Sequence, residues 1–197
     1  MKKFLVTSIS NFIDLYSKCN YDKELLRYGI EVIYLNITKI LVIIIIAYFI
    51  GYVAEVLLFL ILFNNLRLFG FGVHALKSRD CWLASIFCFL IVPIVSSNLV
   101  FNLQVKVILC IISFILFMLY APAETIKRSI SSNKKTAYKF LLLLIAVIYI
   151  FLCFSDIEQH IKSIIVSSLC LESFLITPIA YKLFAVPYIG KGGDKFA

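Results

Sequence analysis

Long apolar blocks separated by short polar breaks make up nearly the whole chain. A helix needs about 20 apolar residues to cross the hydrocarbon core of a bilayer. Residues 82–101, 103–121, 137–154 and 161–184 each come close to that length. A further block, residues 32–66, is too long for one ordinary span. Gly51 near its middle, followed by Glu55, predicts two helices joined by a tight turn, which brings the expected count to six. Pro93 is expected to kink the third span, because proline lacks the N–H a helix interior uses. Glu172 falls inside the sixth, where an ionisable side chain is costly. A hydrogen bond to a neighbouring helix and a functional role are equally open for it.

The first residues follow a different pattern. Phe4, Leu5, Ile9, Phe12, Ile13 and Tyr16 recur at helical spacing, with Ser10, Asn11, Asp14 and Lys18 on the other side. This predicts an amphipathic helix, lying either at the membrane interface or on the chain's own cytoplasmic loops. Its apolar run is broken early by Ser, Asn and Asp, and no small-residue cleavage site follows, so it does not read as a signal peptide. The expectation is thus an all-α integral membrane protein of about six transmembrane helices with an N-terminal amphipathic interfacial helix. It forms one domain over residues 1–197, with residues 1–29 as the amphipathic segment.

Composition agrees with the pattern. Of 197 residues, 62% are hydrophobic and 15% charged, with a mean hydropathy of +1.02. Charged residues make up about a quarter of ordinary soluble domains. The formal net charge of +8 is read by position, since Lys and Arg collect in cytoplasmic loops. With the N-terminus inside, cytoplasmic segments hold Lys2, Lys3, Lys18, Lys23 and Arg27, then Arg67, Lys77 and Arg79. They also hold Lys127, Arg128, Lys134 and Lys135, and finally Lys182, Lys191 and Lys195. The opposite loops are the turn at Gly51, the polar "SSNLVFNLQ" and the acidic "SDIEQH". Lys106 and Lys162, near outer helix ends, can snorkel. This predicts a multi-pass cell-membrane protein with both termini cytoplasmic. No basic strip is interleaved with exposed aromatics, so nucleic acid is not an expected partner; the lipid bilayer is.

Six cysteines are present, of which Cys88, Cys110, Cys153 and Cys170 lie within apolar runs, where a thiol is a small inert hydrophobe. No CxxC or paired Cys/His spacing occurs, so neither a metal site nor a cofactor is expected. Cys81 differs. It falls in the polar break "NNLRLFGFGVHALKSRDCWLAS", residues 64–85, together with His74. On one straight helix, seven residues separate these two by about 10 Å along the axis, too far for proton transfer. A thiol–imidazole pair therefore requires the chain between them to bend. Gly70 and Gly72 favour a flexible or sharply turned approach to His74. Ser78 is a candidate N-cap that would put Cys81 in the first turn of the third span, where free N–H groups and the helix dipole lower a thiol pKa. Residues 64–81 are accordingly the candidate catalytic loop, with Cys81 as nucleophile and His74 as base.

These residues carry a family resemblance. Arg67, Gly72, His74, Ala75 and Cys81, at this spacing, resemble the core signature of the accessory gene regulator B family, membrane peptidases of Gram-positive quorum sensing. "YAPAETIKRSI", residues 120–130, resembles the family's Tyr-Ala-Pro-Ala-acid motif with basic residues behind it, and "TPIAYKLF", residues 177–184, is also similar. Family members often carry Gly-Gly before the His region and a Pro after the Lys-Arg pair; this chain has "GFGVHA" and "KRSI". The resemblance implies a cysteine endopeptidase that cuts the acidic C-terminal tail from a short precursor peptide. The upstream part remains as an acyl-enzyme on Cys81, and a nucleophile within the peptide closes a thiolactone or lactone ring. It implies supporting or substrate-binding roles for Arg67, Gly72, Glu124, Lys127 and Arg128, and is compatible with a homodimer. Asp80 and Glu124 both stand as candidates for a third catalytic member. An exporter of a small peptide without proteolytic activity is the alternative: six spans and Glu172 permit it. No nucleotide-binding loop or internal repeat supports it, and it does not explain why the histidine, glycines and cysteine fall together.

Overall fold

The structure, a computed structural model, describes residues 23–73, 78–123, 132–184, 186, 188–189 and 195–196. The N-terminal amphipathic helix expected over residues 4–16 lies outside them. The chain divides into two compact units, residues 1–46 and 47–197. Helix α1 (Lys23–Ile50) is the described part of the first, and its last turn belongs to the second. It ends where the sequence predicts. Gly51 adopts φ +85°, a conformation other residues rarely take, and its N–H donates to Ala47 O at 2.9 Å. Helix α2 (Val53–Gly70) follows.

The third run is interrupted as Pro93 requires. It comprises α3 (Ser78–Ile86), a π-helical turn at Phe87–Ile91 and α4 (Val92–Asn98). The Val92 N–H reaches Phe87 O, five residues back, so the widened turn falls just ahead of the residue that has no N–H to give. Helices α5 (Leu103–Tyr120) and α6 (Ser132–Phe154) follow as continuous rods.

The sixth run departs from expectation. Residues 161–184 are not one continuous helix; α7 (Gln159–Leu175) has 17 residues and is followed by a short helix α8 (Pro178–Leu183). Pro178 disfavours helical geometry at the residue before it, and Thr177 is extended at φ −76°, ψ 152°. The Thr177 hydroxyl instead accepts the Ala180 N–H and caps the new helix. At 1.5 Å per residue α7 is about 25 Å long, short of the hydrocarbon core. Among the described residues five helical stretches are long and apolar enough to cross a membrane: Ile33–Ile50, Val53–Gly70, Cys81–Asn98, Leu103–Tyr120 and Lys134–Phe154. The protein is an all-α, multi-pass membrane protein. Beyond α8 the described residues include a two-stranded antiparallel pair, β1 (Tyr188–Ile189) with β2 (Lys195–Phe196).

Helix α7 is the centre of the second unit, packed by α2, α4, α5 and α6. Ile164, Ile165, Val166, Leu169 and Leu175 are buried along it, and so are Ser163, Ser168, Glu172 and Ser173. Its polar atoms find partners across helices: Ser163 Oγ donates to Leu99 O at 2.7 Å, and Ser173 Oγ to Ser113 Oγ at 3.2 Å. In lipid, where apolar tails compete equally for apolar side chains, such close packing and interhelical bonds hold helices together. The outer helices carry the lipid-facing surface, with Ile108, Ile111, Ile115 and Met118 of α5 and Phe140, Leu144, Val147 and Phe151 of α6 all exposed.

Burial predicts how substitutions divide. Leu169 is 1% exposed and Phe151 is 74% exposed. Leu169→Ala should destabilise by about 2–5 kcal/mol, whereas Phe151→Ala should change stability by less than about 0.5 kcal/mol. Thermal unfolding in detergent, followed by the rate at which buried Cys153 becomes accessible to a thiol reagent, checks both.

Candidate functional site

Helix α2 delivers Arg67 and then stops. Phe71 takes a positive φ of 67° and Gly72 one of 74°, so the chain leaves the helix through two consecutive left-handed residues. The Phe71 N–H still closes on Arg67 O at 3.1 Å. From there residues 70–73 run between two other parts of the fold. On one side the Ala123 N–H donates to Gly70 O at 3.0 Å, and Phe71 pairs with Ala123 in a short parallel bridge. On the other, the Val73 N–H donates to Leu175 O, at the end of α7, at 3.1 Å.

Arg67 closes this arrangement. Its Nη1 donates to Glu172 Oε2 at 3.3 Å, its Nη2 donates to Val73 O, and the guanidinium lies 5.8 Å from the centre of the Phe63 ring. Glu172 is fully buried and the Arg67 side chain is 16% exposed. Such a pair is tolerated in a low dielectric only when its remaining polar atoms are also met. Arg67 satisfies this with a carboxylate, a carbonyl and a ring face. Glu172 does so only in part, because its Oε1 has no hydrogen-bond partner.

The two glycines are where they are because of this pair. A Cβ on Gly70 would lie 2.8 Å from Glu172 Oε1, and one on Gly72 would lie 2.5 Å from Arg67 Nη1 and 3.1 Å from Leu175 O. Of the two possibilities the sequence left for Gly70 and Gly72, the sharp turn is the one present, and it is gripped on both sides.

Three stretches far apart in sequence therefore meet. Residues 67–73 touch residues 121–123 through the Gly70–Ala123 bond, and the Tyr181 hydroxyl of α8 donates to Ala123 O at 3.4 Å. The Phe71 and Tyr138 rings, 5.4 Å apart, add the start of α6. Cys81 is half-buried in α3, whose described part begins three residues earlier at Ser78, and its carbonyl accepts the Ser85 hydroxyl at 2.7 Å. His74, Glu124, Lys127 and Arg128 lie outside the described residues, as do the side chains of Ser78 and Asp80. The chain is non-helical at Val73 and helical at Ser78, and residues 74–77 between them lie outside the described residues.

The sequence profile of the accessory gene regulator B family matches residues 6–176. The chain belongs to this family. It is similar to an AgrB-like protein of Clostridium acetobutylicum, 30% identical over 169 residues that cover 83% of this chain and 78% of that protein. It is also similar to accessory gene regulator protein B of Staphylococcus aureus, strain Newman, 28% identical over 155 residues covering 79% and 82%. The strain MW2 protein of that name is 26% identical over the same length. No solved structure matches the chain.

Sequence reasoning marked Glu172 as an expensive intramembrane charge but had no partner for it. The partner is Arg67, 105 positions away. Tyr181 was not singled out at all; its place in "TPIAYKLF" was the available signal. The packing predicts that Gly72→Ala destabilises the protein by about 1–3 kcal/mol, since it adds strain at a left-handed position and strikes Arg67. Gly29→Ala, in α1 with nothing within 4 Å of the added atom, should be neutral or gain up to about 1 kcal/mol. Thermal midpoints of the two variants in the same detergent make the comparison.

Proposed function

We propose that this protein is a membrane-embedded cysteine endopeptidase that trims a short precursor peptide and promotes its cyclisation, with Cys81 as nucleophile and His74 as base. The observation that carries the proposal is the family match over residues 6–176, which takes in both residues together with Arg67, Gly72 and residues 120–130. The local structure supports it. Cys81 sits near the start of a helix, whereas Cys110 and Cys153 are buried inside the bundle. The chain that leads into His74 is fixed at Val73 by two hydrogen bonds, one from each of its polar groups.

The chemistry then runs in two transfers. His74 takes the proton of the Cys81 thiol, and the thiolate attacks the carbonyl carbon of the scissile peptide bond. The tetrahedral adduct collapses, the C–N bond breaks, and the imidazolium returns the proton to the departing amine of the tail. The upstream peptide is left as a thioester on Cys81. A thiol or hydroxyl within that peptide attacks the thioester carbonyl and gives up its proton to His74; the C–S bond breaks, and the departing Cys81 thiolate takes that proton back from the imidazolium. The product is a thiolactone or a lactone, and the enzyme is returned to its starting state. A water-poor interface favours this internal attack over hydrolysis. An acidic tail on the substrate suits a face carrying Lys127, Arg128, Lys134 and Lys135.

Co-expression with the neighbouring precursor peptide tests the assignment. Cys81→Ala and His74→Ala, inserted at wild-type levels, should abolish trimming, while Cys88→Ser should leave it largely intact. Trimming that survives Cys81→Ala would sink the peptidase reading and leave the exporter reading standing. A topology reporter fused after Lys135 should report the cytoplasm; an external signal there would put the basic residues on the wrong side for this mechanism.

A further inference from the structure

Helix α7 grips Val73 by both of its backbone polar groups. The N–H is held directly, by Leu175 O at 3.1 Å. The C=O is held indirectly, by Arg67 Nη2, whose neighbouring Nη1 is in turn bound to Glu172 Oε2 at 3.3 Å. That carbonyl belongs to the peptide unit joining Val73 to His74. Because the unit is planar, fixing its oxygen fixes the plane from which the His74 backbone departs.

Resting on the peptidase reading, we propose that Glu172 is a positioning residue for the Cys81–His74 pair, acting through Arg67 on the peptide plane that enters His74. Two features distinguish this from simple cross-bracing. A buried ion pair is a poor source of stability, since apolar replacements of similar volume often do as well or better; its orienting effect is what an apolar pair cannot reproduce. The Glu172 carboxylate is also not placed to maximise its own bonding. It is 0% exposed, yet Oε1 is without a partner and rests against Gly70, where the missing side chain makes room for it. The carboxylate is held beside residues 70–73 at the expense of one of its hydrogen bonds, and that segment is the one that ends at His74.

The same geometry limits what Arg67 does. Its charge is matched by Glu172 and its donors are directed inward, so it anchors the loop and leaves reading of an acidic peptide to other cations.

The test uses the full-length protein in lipid nanodiscs with synthetic precursor peptide. The variants are Glu172→Gln, Glu172→Met, Arg67→Met, the Arg67→Met/Glu172→Met pair, and Cys81→Ala. Trimming kinetics are measured together with the pH profile of Cys81 alkylation by iodoacetamide, located by mass spectrometry. Misplacing a catalytic group by about 1 Å costs on the order of 100-fold, so Glu172→Met should lose about that much in kcat with KM little changed. Its Cys81 alkylation profile should move to higher pH, toward that of an unassisted thiol. Glu172→Gln, whose amide oxygen still accepts from Arg67, should recover part of the loss. The double variant carries no unpaired buried charge and should insert and melt like the wild type, yet stay as slow as Arg67→Met alone, because the two residues act as one unit. Should the double variant trim at the wild-type rate, or the alkylation profile stay unmoved in every Glu172 variant, the pair is structural and the proposal is wrong. Failure of the peptidase reading looks different: trimming would be absent in the wild type or survive in Cys81→Ala. The alkylation profiles would then still decide the role of Glu172.

Discussion

The second unit is organised around one fully buried carboxyl group, that of Glu172. A carboxylate at the centre of a helical bundle must be met by a cation, and the cation must reach it without leaving its own donors stranded. Arg67 does this from the last turn of α2, where a positive side chain also suits the negative end of the helix dipole. The reach of the guanidinium to Glu172 requires α2 to end beside α7. The bond to Val73 O requires the chain to double back at once, and doubling back within two residues requires the positive φ angles of Phe71 and Gly72. The path of residues 71–73 follows from where Glu172 sits.

Helix α7 can hold such a residue because it is surrounded by protein. A 17-residue helix packed by four others has most of its positions buried against protein, so they can carry serine, cysteine and glutamate. Ser163, Ser168 and Ser173 each hydrogen-bond within the helix or across to a neighbour. The break at Thr177–Pro178 then ends α7 just beyond Leu175, leaving the Leu175 carbonyl without an intrahelical donor. Val73 supplies that donor. The proline that shortens the helix thus also creates the acceptor that holds the loop.

Much of this was legible along the chain, and the limits of legibility are physical. Gly51 and Pro93 act on their own backbone, so a turn and an irregular helix could be read from one residue each. Glu172 declared itself by burial in an apolar run, but a carboxylate does not name its partner; the Arg67 bond spans 105 positions and depends on how α2 and α7 pack. The sixth run looked continuous because hydropathy averages over Thr177–Pro178, whereas the backbone responds to the proline alone. The glycines of the loop were readable as a bend but not as a clamp, since the clamp consists of atoms from α7. The family motifs were readable as three separate strings. Their meeting at Gly70, Ala123 and Tyr181 is a fact of packing. Of the candidate site, the described residues contain Arg67, Gly72 and Cys81.

The distribution of charge bears on how an acidic peptide would meet this protein. Coulomb attraction acts through the net charge a surface presents, and a guanidinium paired with a carboxylate at 3.3 Å presents almost none. Further basic residues, Lys127, Arg128, Lys134 and Lys135, follow the fourth apolar helix in sequence. Those residues adjoin the segment 121–123 that is hydrogen-bonded to Gly70. On the proposed peptidase reading, Arg67 is committed to holding residues 70–73, and attraction of an acidic tail falls to other cations.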